Sequence, residues 1–150
     1  MRVLGIDYGE RRIGIAVSDP TGTLARPVTT LKEHRNLGAA VEAVMRSIAD
    51  LERDAEPVER IVLGLPRRLD GSANDQTPRV EAFAAILEKR AGRVVVLQDE
   101  RLTSHEADAL LAEREPDWRA RKLRLDAVAA AVILQEYLDT HQNNRPRSDS

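Results

Sequence analysis

The hydrophobic period of the chain changes near residue 36, and this change restricts its fold more than any other feature. Before it, the apolar residues come in short β-type runs. Val3, Leu4 and Ile6 lead into Asp7-Tyr8-Gly9-Glu10, a turn of glycine and acids, and Ile13-Gly14-Ile15-Ala16-Val17 resumes the run. Residues 2–7 and 12–18 therefore read as a hairpin. A third strand follows from Leu24 to Leu31, where Pro27 marks an edge because proline cannot donate to a ladder. Beyond the change, Leu37, Val41, Val44, Met45 and Ile48 recur at helical spacing and predict an amphipathic helix over 36–54. Residues 60–66 are a short apolar run of buried-strand type, and 67–77 form a polar loop. Val80, Phe83, Ala84 and Leu87 mark a second helix closed by Gly92, and Val94-Val95-Val96-Leu97 is another buried strand. Helices are expected from Ser104 to Glu113 and from Leu125 to Leu138. The order β-β-β-α-β-α-β-α-α describes a meander followed by βαβ units. This is a three-layer α/β domain: a mixed five-stranded sheet, three strands antiparallel and then two parallel, flanked by helices.

One domain over 1–139 accounts for the 150 residues, with a polar tail at 140–150 expected to fray. A chain 42% hydrophobic can bury a core, and no run of 18 apolar residues exists to span a membrane. With no cysteine there is no disulfide scaffold, thiol chemistry or Cys-ligated zinc, and a cytoplasmic location is expected. The net charge of -2 does not advertise a polyanionic partner. Its distribution says more. Only Lys32, Lys89 and Lys122 are lysine, so the basic residues are overwhelmingly arginine, which suits bidentate phosphate contacts. A GC-rich genome would also favour arginine codons. Local clusters carry more weight than the bulk count: Arg11-Arg12, Arg67-Arg68, and the run 119–124 that leads straight to Asp126.

Three acids stand where apolar segments end or begin. Asp7 closes the first strand, Glu100 follows the run 94–97 within Gln98-Asp99-Glu100-Arg101, and Asp126 opens an apolar helix. In open α/β sheets ligands gather at the carboxyl ends of the strands. Asp7 and Glu100 lie at such ends, and Asp126 joins them if the last helix packs across the first strand, which Ala127, Ala129, Ala130 and Ala131 would permit. Converging carboxylates repel one another unless a hard cation sits among them, and Mg²⁺ and Mn²⁺ prefer oxygen ligands. Two such ions about 4 Å apart activate a water and stabilise the leaving oxygen of a phosphodiester. Each acid also has an ordinary role: Asp7 in a turn, Asp126 at a helix start, Glu100 paired with Arg101. Asp70 and Asp99 are rivals for the second acidic position.

Gly5, Gly9 and Gly14 bracket Asp7. Gly14 suits the close approach of a phosphate or of another backbone. Asp7-Tyr8-Gly9 with Gly14 and Asp19 also resembles the first phosphate loop of actin-like and sugar-kinase ATPases. Those enzymes close two such domains on a nucleotide, and this sequence reads as one. Gly64–Ser72 offers Arg67 and Arg68 to phosphates, or forms a solvated turn at Asp70-Gly71. His34, His105 and His141 show no metal-ligand spacing, and no nucleophile elbow or Walker loop is present.

Four segments, GIDYGERRIGIAVSD at 5–19, IVLGLPRRLDGS at 61–72, DERLTSHEA at 99–107 and LDAVAAAVILQEYLD at 125–139, together resemble the YqgF (RuvX) family. Its members are described as Holliday-junction resolvases and as nucleases that process the 5′ end of pre-16S ribosomal RNA. The resemblance implies an RNase H-like fold and places Asp7, Glu100 and Asp126 on the family's acidic positions, holding Mg²⁺ or Mn²⁺. It implies hydrolysis leaving a 5′-phosphate and a 3′-hydroxyl. Arg11, Arg12, Arg67, Arg68 and Arg101 would then bind the nucleic-acid backbone, and Thr103 would orient Glu100. The implied partners are structured RNA, ribosomal precursor particles or DNA junctions, met by a monomer or a homodimer. A non-catalytic RNA-binding assembly factor is the other reading of the same surface.

Overall fold

The first hairpin forms because two runs rich in Val and Ile lie close together in the chain, where they can pair side by side. In the computed structural model, which describes residues 1–9, 12–32, 35–53, 55–65, 76–99 and 118–143 (side chains of 118–124 and 142–143 excepted), β1 is Arg2–Tyr8 and β2 is Arg12–Ser18. They pair antiparallel with Leu4 opposite Val17 and Ile6 opposite Ile15, and the Gly9 N–H donates to the Arg12 carbonyl at 2.9 Å. β3, Ala25–Lys32, adds to β2 as an edge strand. The pairing steps from Ile15↔Thr29 to Ala16↔Pro27. Proline thus falls at a register shift on the outermost strand, where its missing donor costs least.

Helix α1, Leu37–Glu52, is capped by Asn36, whose side chain accepts from the Ala39 N–H at 2.8 Å. It leads into β4, Val58–Leu65, which lies parallel to β1. Helix α2, Thr77–Ala91, has a proline in its first turn and ends at Gly92, which adopts φ 64° and donates to the Glu88 carbonyl. β5, Val94–Asp99, pairs parallel with β4. The sheet order is β3-β2-β1-β4-β5, three strands antiparallel and two parallel as expected.

Side-chain alternation divides the core in two. Leu4, Ile6, Tyr8, Ile13, Ile15, Ile61 and Leu63 face α1 and α2. Val3, Ala16 and Val62 face the last helix, α3, which is Trp118–Asn143. This helix corrects two expectations. It starts before Leu125, so Asp126 lies well inside it rather than in its first turn. It also runs past Leu138, so residues 140–143 are helical. The extension has local support: Thr140 Oγ1 donates to the Glu136 carbonyl, and the His141 ring packs on Tyr137 at 3.9 Å between centroids. The helix expected over 104–113 lies outside the described residues. No helix among those described is long and apolar enough to cross a membrane.

Candidate active site

Asp7 occupies the penultimate position of β1, at the carboxyl end shared with β4 and β5. By alternation with Val3 and Gly5 its side chain lies on the α3 face. Its neighbour Tyr8 points the other way. The Tyr8 ring stacks on Phe83 at 4.2 Å and carries the Arg79 guanidinium 5.3 Å from its centroid. The end of β1 is therefore clamped from below, which limits the freedom of Asp7 above.

Two glycines bring α3 down onto this end of the sheet. A Cβ on Gly14 would lie 1.8 Å from the Asp126 carbonyl oxygen, and one on Gly5 would lie 2.9 Å from that of Ala130. No side chain fits at either point. Of the two ligands that Gly14 could admit, a phosphate or a backbone, the structure has the backbone. Gly14 is also the cross-strand partner of Asp7. One glycine thus touches both acids' positions: Asp7 through the sheet and Asp126 through the helix.

An acid inside a helix gains little from the helix dipole, so the charge of Asp126 needs another partner. Arg12 supplies it, with Nε 2.7 Å from Asp126 Oδ2; the two side chains are 30% and 19% exposed. This pairing was not legible in the sequence, where Arg12 stood simply as a phosphate-binding candidate beside Arg11. Its signal is two-residue periodicity. Arg12 shares a face with Gly14 and Ala16, the face that α3 covers.

Asp99 ends β5 and alternates with Val95, which packs on the α1–α2 core. It therefore lies on the face away from Asp126, which weakens it as a rival for the second acidic position. Asp19 has a separate task. Its carboxylate accepts from Thr21 Oγ1 at 2.6 Å and from the N–H groups of Thr23 and Leu24 at 2.7 and 3.0 Å. The Thr21 hydroxyl, followed by the two backbone donors, lowers its pKa from 3.8 to about 2. It closes the β2–β3 connection at the far end of β2 from Asp7.

Glu100, Arg101, Thr103, Arg11, Arg67, Arg68 and Asp70 lie outside the described residues, as do the side chains of the basic run 119–124. Among the described residues no group of three or more acids or histidines stands close enough to hold a metal ion. The acids present offer hard oxygen donors, and Asp126 already takes a positive group on its carboxylate. That donor set suits a hard divalent cation.

A five-stranded mixed sheet with an acid at the end of β1, crossed by a long final helix that carries a second acid, defines an RNase H-like α/β protein. Thermus thermophilus RuvC, solved in complex with a Holliday junction substrate, shares this fold: TM-score 0.51 and 17% identity, covering 95% of this chain and 96% of that one. Residues 1–140 match the model of the RuvX family, described as Holliday junction resolvase, and the chain belongs to that family. A relative from Syntrophus aciditrophicus, described as a candidate pre-16S rRNA nuclease, is 39% identical over 152 residues, 100% of this chain and 96% of its own. One from Moorella thermoacetica with the same description is 41% identical over 139 residues, 93% and 95%.

Proposed function

We propose that this chain is a cytoplasmic metal-dependent endonuclease that hydrolyses nucleic-acid phosphodiesters and processes the 5′ end of pre-16S rRNA during ribosome biogenesis. The observation that carries this reading is the seat of α3 on Gly14, which brings Asp126 to the end of β1 where Asp7 stands. The family match and the descriptions of the relatives support the nucleic-acid substrate.

Asp7 and Asp126 would hold Mg²⁺ or Mn²⁺, with Glu100, the residue after β5, completing the set. Bound there, the ion supplies positive charge for deprotonating a water and for the leaving oxygen. The chain's own residues prepare the place. Tyr8, held by Phe83 and Arg79, keeps the end of β1 rigid. Arg12 orients the Asp126 carboxylate and offsets its charge until a cation or a phosphate arrives. Arg11, Arg67, Arg68 and Arg101 would meet backbone phosphates, and Thr103 would orient Glu100.

The test is cleavage of two labelled substrates in Mg²⁺ or Mn²⁺: an rRNA precursor spanning the mature 5′ end, and a four-way DNA junction. Cleavage of the RNA that disappears in Asp7→Asn, with an unchanged circular dichroism spectrum, is the expected result. Equal activity in Asp7→Asn would sink the mechanism. Cleavage of the junction alone would give the chain the resolvase role in its family's description.

A further inference from the structure

A groove of about 370 Å³ opens on the α1 side of the sheet, lined by Ile13, Leu31, Lys32, Arg35, Ala39, Ala43 and Arg46. Its floor is apolar and, among the described residues, its rim carries three cations and no acid. Most arginines with described side chains are already engaged. Arg2 holds the Leu51 and Glu56 carbonyls, Arg12 Asp126, Arg53 Asp50, Arg60 the Tyr137 hydroxyl, Arg90 Glu42, and Arg93 Glu52. Arg35, Arg46 and Lys32 are exposed and have no acidic partner among the described residues. Glu42 and Asp50, the acids of α1 four residues to either side of Arg46, are turned to Arg90 and to Arg53.

The groove's position adds to its charge. Ile13 is the cross-strand partner of Tyr8, the residue after Asp7, and Lys32 is the partner of Arg12, which holds Asp126. The groove therefore begins at the same end of the sheet as the acids but on the opposite face, so a strand in it would round the β3 edge, where Lys32 stands opposite Arg12, to reach them; its cations continue outward from Lys32 through Arg35 to the third turn of α1. Among the described residues the rim offers no amide or hydroxyl side chain to read a base edge. Cations over an apolar floor suit the charge and sugar faces of a strand, irrespective of its sequence.

We propose that this groove binds the sugar–phosphate backbone of the substrate strand and leads it to the acid pair. The inference rests on the nuclease reading and extends it to a surface that the acids do not define. The test uses Asp7→Asn protein in Mg²⁺, so that a fluorescent single-stranded RNA from the precursor stays intact, and follows anisotropy across a series of salt concentrations. Adding Lys32→Gln, Arg35→Gln and Arg46→Gln is expected to weaken binding at least tenfold at moderate salt. The slope of log K against log salt should fall in magnitude by about 2, three phosphates at roughly 0.7 each. Removing Arg26 and Lys89, exposed cations outside the groove, is expected to leave the slope unchanged. An unaltered slope in the triple variant, an equal fall in the control pair, or displacement of the strand by ATP as readily as by unlabelled RNA overturns the groove while leaving the nuclease reading intact. Failure of Asp7→Asn protein to bind either RNA or junction DNA overturns both. Melting temperature checks that the variants fold, which the exposure of all three positions favours.

Discussion

At the scale of single residues, the site depends on an atom that is absent. Gly14 has no Cβ, and the Asp126 carbonyl lies where one would be. Backbone faces backbone there, so neither side can yield by changing rotamer. Gly14→Ala is expected to destabilise the fold by roughly 3 kcal/mol, the upper range for overpacking, and to lift Asp126 away from Asp7. Urea denaturation reads the first effect, and loss of Mn²⁺ binding by calorimetry in the surviving folded fraction reads the second. Arg12 acts in the opposite sense. Its ion pair with Asp126 is partly solvated, so Arg12→Ala should cost only about 1 kcal/mol after screening. On the proposed metal reading, the same change removes a positive charge that would compete with the cation for the carboxylate. Mn²⁺ should therefore raise the melting temperature more in Arg12→Ala than in the parent. An equal or smaller rise would mean that Arg12 does not compete for this site.

Among the elements, the β2–β3 connection and the start of α1 are held by single polar side chains. Asp19 binds three donors as a carboxylate, which depresses its pKa to about 2. A depressed folded-state pKa contributes stability that is present above the unfolded value, near 4, and lost as pH falls through 2. The destabilisation caused by Asp19→Asn should therefore be full at neutral pH and shrink between about pH 4 and 2. Denaturation midpoints of both proteins over that range test this. Asn36→Ala removes the cap of α1 and should cost about 1 kcal/mol, read in the same experiment. The strands were largely legible because their apolar runs are short and bounded by turns. The last helix was not: its amphipathic pattern shows only where it packs, so the polar turns at 118–124 and 140–143 read as linker and tail. Tertiary contacts carried it further, with Tyr137 and Leu138 buried near its end.

For the whole molecule, the decisive contact joins the two ends of the chain. α3 is the last described element, yet it covers the first strands through Gly5, Gly14, Val3 and Ala16. Deleting residues 118–150 would expose that entire face of the sheet. The truncated protein is expected to bind a hydrophobic dye and to lose cooperative unfolding; a sharp thermal transition at the parent's temperature would contradict this account. Because Asp7 and Asp126 come from distant parts of the chain, the proposed acid pair would form only when this contact does. Folding and assembly of the site should therefore coincide.

While the order of the strands in the sheet came from the structure, the sequence alone determined the period of each segment, hence the mixed sheet and the edge position of β3. Those features follow from local alternation and turn chemistry, which neighbouring residues specify. It also singled out Asp7 and Asp126, because an acid beside an apolar run is conspicuous wherever the chain goes. Only the tertiary structure decided that Arg12 serves Asp126, that Gly14 admits a backbone and not a ligand, and that Asp99 faces away from Asp126. It alone gathered Lys32, Arg35 and Arg46 around one groove. Each of these depends on where a helix lands on a sheet, and that is set by the shape of two surfaces far apart in the chain.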